Sequence, residues 1–97
     1  MEADTFDNGF DALADTPCEA ANLTARSDLL SAIRQQVISW NVAQEIAAAR
    51  LGLTRPRLND LMRGKIAKFS LDALVNIASA AGLTLEIRTS VTSVEAA

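Results

Sequence analysis

Basic side chains are concentrated between residues 50 and 68 of this 97-residue sequence. Six of the nine Lys and Arg residues lie there: Arg50, Arg55, Arg57, Arg63, Lys65 and Lys68. Asp60 is the only acidic residue in the same stretch, so its local charge is +5. An arginine fork can donate paired hydrogen bonds to O6 and N7 of guanine, and lysine can hold phosphate oxygens. The stretch therefore has the chemistry of a DNA-binding surface, although the solvated basic face of a helical bundle would carry the same charge.

The acidic residues lie elsewhere and give the chain a net charge of −3. Residues 1–19 hold six Asp and Glu residues and no Lys or Arg, which is a local charge of −6. A phosphate backbone interacts with the local charge of a protein surface, so the negative net charge of the chain does not exclude nucleic-acid binding.

Local signals predict two short helices around a tight turn within residues 41–64. The first of these helices is expected over 42–50, with Asn41 as its N-cap and Gln44 in its first turn. Gly52 suits the turn, because glycine adopts positive φ without a steric penalty. The next helix is expected over 55–62, with Thr54 as its N-cap and a proline in its first turn. This layout is typical of a helix-turn-helix unit, in which the second helix enters the major groove.

Two further helices and one strand complete the predicted architecture. Apolar periodicity predicts a helix from 22 or 24 to 39, and Ser70 is expected to cap another over 71–80. Residues 83–89 alternate like a strand, and a lone strand needs a partner. We therefore expect an all-α, compact four- to five-helix bundle whose C-terminal strand pairs with its copy in a homodimer. The dimer contacts are assigned to Leu83, Leu85 and Ile87.

The chain is expected to form one domain with flanking tails. Residues 1–21 are interpreted as an acidic, mostly disordered arm, 22–89 as the DNA-binding domain with its dimerisation strand, and 90–97 as a frayed end. Phe6, Phe10 and Leu13 lie among the carboxylates of the arm. They are either anchors for a basic protein partner or part of a solubilising tail.

Two groups of side chains are assigned to DNA according to their place in the motif. The base-reading group lies on the helix expected over 55–62: Arg55, Pro56, Arg57 and Asp60. The phosphate-binding group lies at helix starts and in the following loop: Gln44, Thr54, Asn59, Arg63, Lys65, Lys68 and Ser70.

Composition argues against several other classes of function. The chain has no His and a single Cys, Cys18, which makes histidine acid–base catalysis and multi-ligand zinc sites improbable. We expect no enzyme activity, no catalytic or metal site and no cofactor. No apolar run approaches the ~20 residues that span a bilayer, and the acidic N-terminus is unlike a signal peptide. A cytoplasmic protein with no membrane partner is expected.

Residues 22–88 resemble the helix-turn-helix family of phage-repressor (Cro, XRE) type, and more narrowly its HigA-like antitoxin branch. The matching segments are QEIAA at 44–48, LGLTRPRL at 51–58, LMRGK at 61–65 and FSLDAL at 69–74. The FDAL stretch at 10–13 is similar to the N-terminal arm of that branch. The resemblance implies a homodimeric repressor of a palindromic double-stranded operator, with a small, basic, RNA-cleaving toxin as protein partner. Arg55 stands where the family commonly has Gln, which leaves the operator sequence open.

Two other functions fit the same residues. One is a stand-alone transcriptional regulator of the same family that has no toxin. The other is a protein-interaction module that does not bind DNA and whose acidic arm binds a basic protein.

Overall fold

The computed structural model describes residues 16–91, and within that range the regular structure is helical. The elements in chain order are α1 Pro17–Trp40, α2 Gln44–Leu51, α3 Arg55–Met62, the 3₁₀ turn Ile66–Lys68 and α4 Leu71–Ala80. Of the predicted bounds, those of α3 and α4 are confirmed.

Helix α1 begins at Pro17, so the start predicted at residue 22 or 24 was wrong. The Thr16 side chain accepts a hydrogen bond from the Glu19 backbone N–H at 3.0 Å, and proline occupies the first turn. Both are ordinary start signals of a helix, but the prediction of an arm gave more weight to the acidic composition of the segment. Residues 17–21 therefore belong to the helix and not to an arm, whereas Phe6, Phe10 and Leu13 lie outside the described residues.

Asn41 ends α1 and does not cap α2, which corrects a second expectation. Its backbone is left-handed, with φ of 52°, and its N–H donates to the carbonyl of Ile38. Asparagine is one of the few residues other than glycine that adopt this conformation readily. Helix α2 instead starts at Gln44, with Ala43 as an N-cap whose side chain forms no capping bond.

The turn between α2 and α3 follows the sequence-based expectation. Gly52 has φ of 71°, and the Leu53 N–H donates to the Ala48 carbonyl at 2.9 Å, which closes the end of α2. Thr54 then caps α3, because its side chain accepts from the Arg57 N–H. The two helices are thus fixed relative to one another by a short connection with hydrogen bonds at the end of α2 and at the start of α3.

The core lies where the four helices meet. The largest fully buried side chains are Phe69, Ile33, Leu58, Leu61 and Leu74. Small residues at 47 and 48 on α2 are also buried, which lets the neighbouring helices approach closely. Half-buried Trp40 packs against this core, and the Arg50 guanidinium lies 4.8 Å from its ring centroid. A cation over an aromatic face is favourable, so Arg50 is engaged at the C-terminal end of α2.

The strand predicted over 83–89 does not form in the described chain. The Leu83 N–H donates to the Ala78 carbonyl, and residues 84–91 then continue without a strand partner among residues 16–91. Alternation of side chains favours an extended backbone, but a ladder requires a second strand, which the described residues do not provide. Within the same described range, no helix is long and apolar enough to cross a bilayer.

Candidate nucleic-acid interface

Arg55 and Pro56 form the exposed start of α3. Thr54 precedes them and fixes the first turn through its bond to the Arg57 N–H at 3.2 Å. Arg55 is exposed, and within residues 16–91 no hydrogen bond or ion pair engages its guanidinium, which has five N–H donors. An arginine at the first position of a short helix, backed by a proline that fixes φ, is well placed to enter a groove.

Arg57 is held against the loop that follows α3. Its guanidinium lies 4.2 Å from the centroid of the Phe69 ring, and its Nη1 donates to the Lys68 carbonyl at 3.0 Å. Phe69 is buried, so the arginine stacks on a fixed surface. Arg57 was predicted to read bases, and in this structure its Nη1 and one face of its guanidinium are engaged by the loop.

Asp60 lies between two lysines. Its carboxylate oxygens are 3.6 Å from Nζ of Lys65 and 3.5 Å from Nζ of Lys68. Ion pairs between partly exposed side chains contribute little to stability, about 0–1 kcal/mol. Asp60 therefore holds the lysines near α3 without preventing either of them from turning to a phosphate.

The start of α2 offers backbone donors beside a polar side chain. Gln44 is exposed at the first helical position, and Ala43 supplies no side-chain cap. Among the described residues, the Gln44 and Glu45 N–H groups have no hydrogen-bond acceptor, whereas those of Ile46 and Ala47 bond to the Ala43 carbonyl. Free N–H groups at a helix start suit a phosphate oxygen.

The remaining predicted phosphate contacts divide into caps and exposed side chains. Thr54 and Ser70 each accept a capping bond, in the latter case from the Ala73 N–H at 3.1 Å. A hydroxyl that accepts still has its hydrogen to donate. Asn59 and Arg63, on α3 and at its end, are exposed.

Arg26 is a residue of this site that the sequence did not reveal. It is only 5% exposed, and its Nε donates to Oδ1 of Asn22 at 2.7 Å. Its Nη1 donates to the carbonyls of Ile66 at 3.3 Å and Phe69 at 3.1 Å. Arg26 thereby ties α1 to the loop that carries both lysines. The spacing of Asn22 and Arg26 was the only local signal, and it says nothing about a loop forty residues away.

We define the loop brace as Arg26 and Arg57 with their acceptors in residues 66–69. One arginine comes from α1 and the other from α3, and both donate to backbone carbonyls of the loop. The backbone of the loop is therefore fixed from two sides, whereas Lys65 and Lys68 remain exposed.

Comparison with protein families gives a match over residues 12–90 to a family described as a helix-turn-helix domain. The chain belongs to this helix-turn-helix family. The match spans α1 to α4 and includes the α2–turn–α3 unit described above, and it confirms the DNA-binding helix-turn-helix domain expected from the sequence. Comparison with curated proteins gives no significant match.

Proposed function

We propose that this protein is a sequence-specific DNA-binding repressor that binds a palindromic operator as a homodimer. The observation that carries the proposal is the exposed Arg55 at the start of α3, next to a braced loop whose lysines are also exposed. Such an arrangement separates base reading from phosphate binding, which are the two components of specific recognition. The protein acts by binding and not by catalysis.

In the proposed complex α3 lies in the major groove. Arg55 donates its fork to a guanine, and Pro56 lies against the base edges beside it. The start of α2, with Gln44, receives a phosphate of one strand, and Lys65 and Lys68 receive phosphates on the other side of α3. Two copies related by a two-fold axis would place their α3 helices about 34 Å apart, which is one turn of DNA.

Base reading by Arg55 can be tested by fluorescence anisotropy on the DNA upstream of the gene and on random DNA. Arg55→Ala should weaken binding to the cognate site by about 1–3 kcal/mol and change binding to random DNA much less. Arg34→Ala is the matched control, because it removes the same charge from α1. Equal losses on both DNAs for Arg55→Ala would contradict base reading.

Phosphate binding by the loop is tested by salt dependence. Lys65→Ala should weaken binding to both DNAs alike and reduce the slope of log K against log[salt] by about 0.9, the value for one phosphate contact. An unchanged slope would remove Lys65 from the interface.

We further propose that the protein is the antitoxin of a toxin–antitoxin pair, which neutralises an RNA-cleaving toxin and represses their shared operon. Two features support this role: the sequence resemblance to HigA-like antitoxins, and the charge of −6 in residues 1–19, which would attract a small basic protein. Co-expression with the product of the adjacent gene should give a stable complex that still binds the shared promoter. DNA binding without any such complex would favour the stand-alone regulator, and complex formation without DNA binding would favour the interaction module.

A further inference from the structure

The segment after α4 exposes its apolar side chains progressively. Leu83 is half-buried, whereas Leu85 is 43%, Ile87 77% and Val91 90% exposed. Beyond the bond from the Leu83 N–H, the backbone of residues 83–91 forms no hydrogen bond within residues 16–91. Alternating apolar side chains on a backbone whose hydrogen-bonding groups are unused in this range are the features of an edge that can accept another strand.

A groove lies between α1, α4 and this segment. Its volume is about 720 Å³. Its apolar lining includes Leu29, Ala32, Val75, Leu83, Leu85 and Ile87. The segment thus offers a backbone edge and an apolar depression side by side.

We propose that the occupant of this edge is a second copy of the chain, paired antiparallel over residues 83–91 with its two-fold axis at Ile87. This proposal rests on the homodimer of the proposed function and specifies its interface. In that register Ile87 lies opposite its own copy, and Leu83 lies opposite Val91 of the second copy. Glu86 lies opposite Arg88 of the second copy, and the reciprocal pair repeats the contact. Opposite charges directly across a strand pair stabilise it.

Other registers are less favourable for reasons that the sequence makes explicit. An axis at Glu86 places two glutamates opposite each other, and an axis at Arg88 does the same with two arginines; like charges directly opposite are destabilising. A shift by a single residue in either direction places both Leu85 and Ile87 opposite polar residues. Only the axis at Ile87 brings apolar side chains together on one face and joins both charged pairs on the other.

Cysteine cross-linking tests the position of the axis. With Cys18 replaced by Ser, the variants Glu86→Cys, Ile87→Cys and Arg88→Cys are oxidised and separated on a non-reducing gel. Directly opposed residues have Cα atoms about 4.5–5.5 Å apart, within disulfide range, whereas diagonal ones are about 7–8 Å apart. Ile87→Cys should form a covalent dimer readily and the other two should not. Preferential cross-linking at 86 or 88 would overturn the register.

Charge exchange tests the pairing independently, by sedimentation of the full chain without DNA. Glu86→Arg alone and Arg88→Glu alone each place like charges opposite one another twice, and each should weaken dimerisation about tenfold. An equimolar mixture of the two variants restores both opposite-charge pairs and should recover dimers at the original concentration. A mixture that stays as weak as its components, or a parent chain that is monomeric at micromolar concentration, would overturn the proposal. A dimer with this register that fails to bind operator DNA would instead overturn only the proposed function.

Discussion

Replacing Arg26 with Met should lower the free energy of unfolding by about 2–4 kcal/mol. Methionine keeps an apolar stem but removes donors to Asn22 and to the Ile66 and Phe69 carbonyls. Hydrogen bonds from charged donors contribute roughly 1.5–3 kcal/mol each. The loss of three is partly offset, because the variant no longer buries a guanidinium and because water can reach the less buried acceptors.

Urea unfolding followed by circular dichroism measures this change, and thermal unfolding should show a shift of roughly ten degrees or more. Arg34→Met is the matched control, since it makes the same substitution on the same helix. The Nε atom of Arg34 is buried without a hydrogen-bond partner in the described structure, so its removal should change stability by less than about 1 kcal/mol. Equal effects of the two substitutions would refute the role given to Arg26 in the loop brace.

Arg26→Lys separates charge from geometry. Lysine keeps the positive charge but lacks the planar fork that reaches Asn22 and the loop together, so it should recover only part of the stability lost in Arg26→Met. Below their melting temperatures, both variants should also bind all DNA more weakly, because Lys65 and Lys68 would no longer be held by a fixed loop backbone. Full recovery by lysine would show that charge alone matters at this position.

Three further substitutions have defined outcomes. Gly52→Ala should lower the free energy of unfolding in urea by about 1–2 kcal/mol, because alanine is strained at φ near +71°. An added Cβ would meet no atom within 4 Å, so no steric clash adds to this cost. Gly52→Asn should cost less, because asparagine adopts the left-handed conformation more readily. Ser70→Ala should cost about 1 kcal/mol in the same assay through loss of the α4 cap. Asp60→Asn should tighten binding to random DNA in anisotropy titrations, because it removes a negative charge and releases Lys65 and Lys68; weaker binding to the operator alone would indicate that the carboxylate reads a base.

The elements predicted correctly are those whose signals are local and unambiguous. The bounds of α3 follow from Thr54, Pro56 and Gly64, because each of these residue types has a single structural role at its position. Asn41 has two possible roles, since asparagine can cap the start of one helix or end the previous helix in the left-handed conformation. The sequence could not choose between these uses, because the choice depends on tertiary contacts beyond the immediate neighbours of Asn41.

Side-chain partners were less predictable than helices. Arg55 and Arg57 are two residues apart in a basic segment and were given the same role, but only Arg57 lies over Phe69 and bonds to Lys68. Those contacts join residues eleven or twelve apart, and those of Arg26 join residues 40 and 43 apart. Periodicity and capping rules operate within a few residues, so they do not detect contacts of this kind.

The loop brace also affects how DNA specificity can change in this fold. Arg26 and Arg57 donate to backbone carbonyls of the loop, and a carbonyl is present whatever side chain the residue carries. Exposed loop side chains such as Lys65 and Lys68 can therefore be altered without removing the acceptors that fix the loop. Arg55 has no bond to the described residues and can be altered with little effect on the core. The residues that hold the fold and those proposed to choose the operator are thus largely separate, so substitutions at Arg55 should change DNA preference while leaving the unfolding free energy within about 0.5 kcal/mol of the parent.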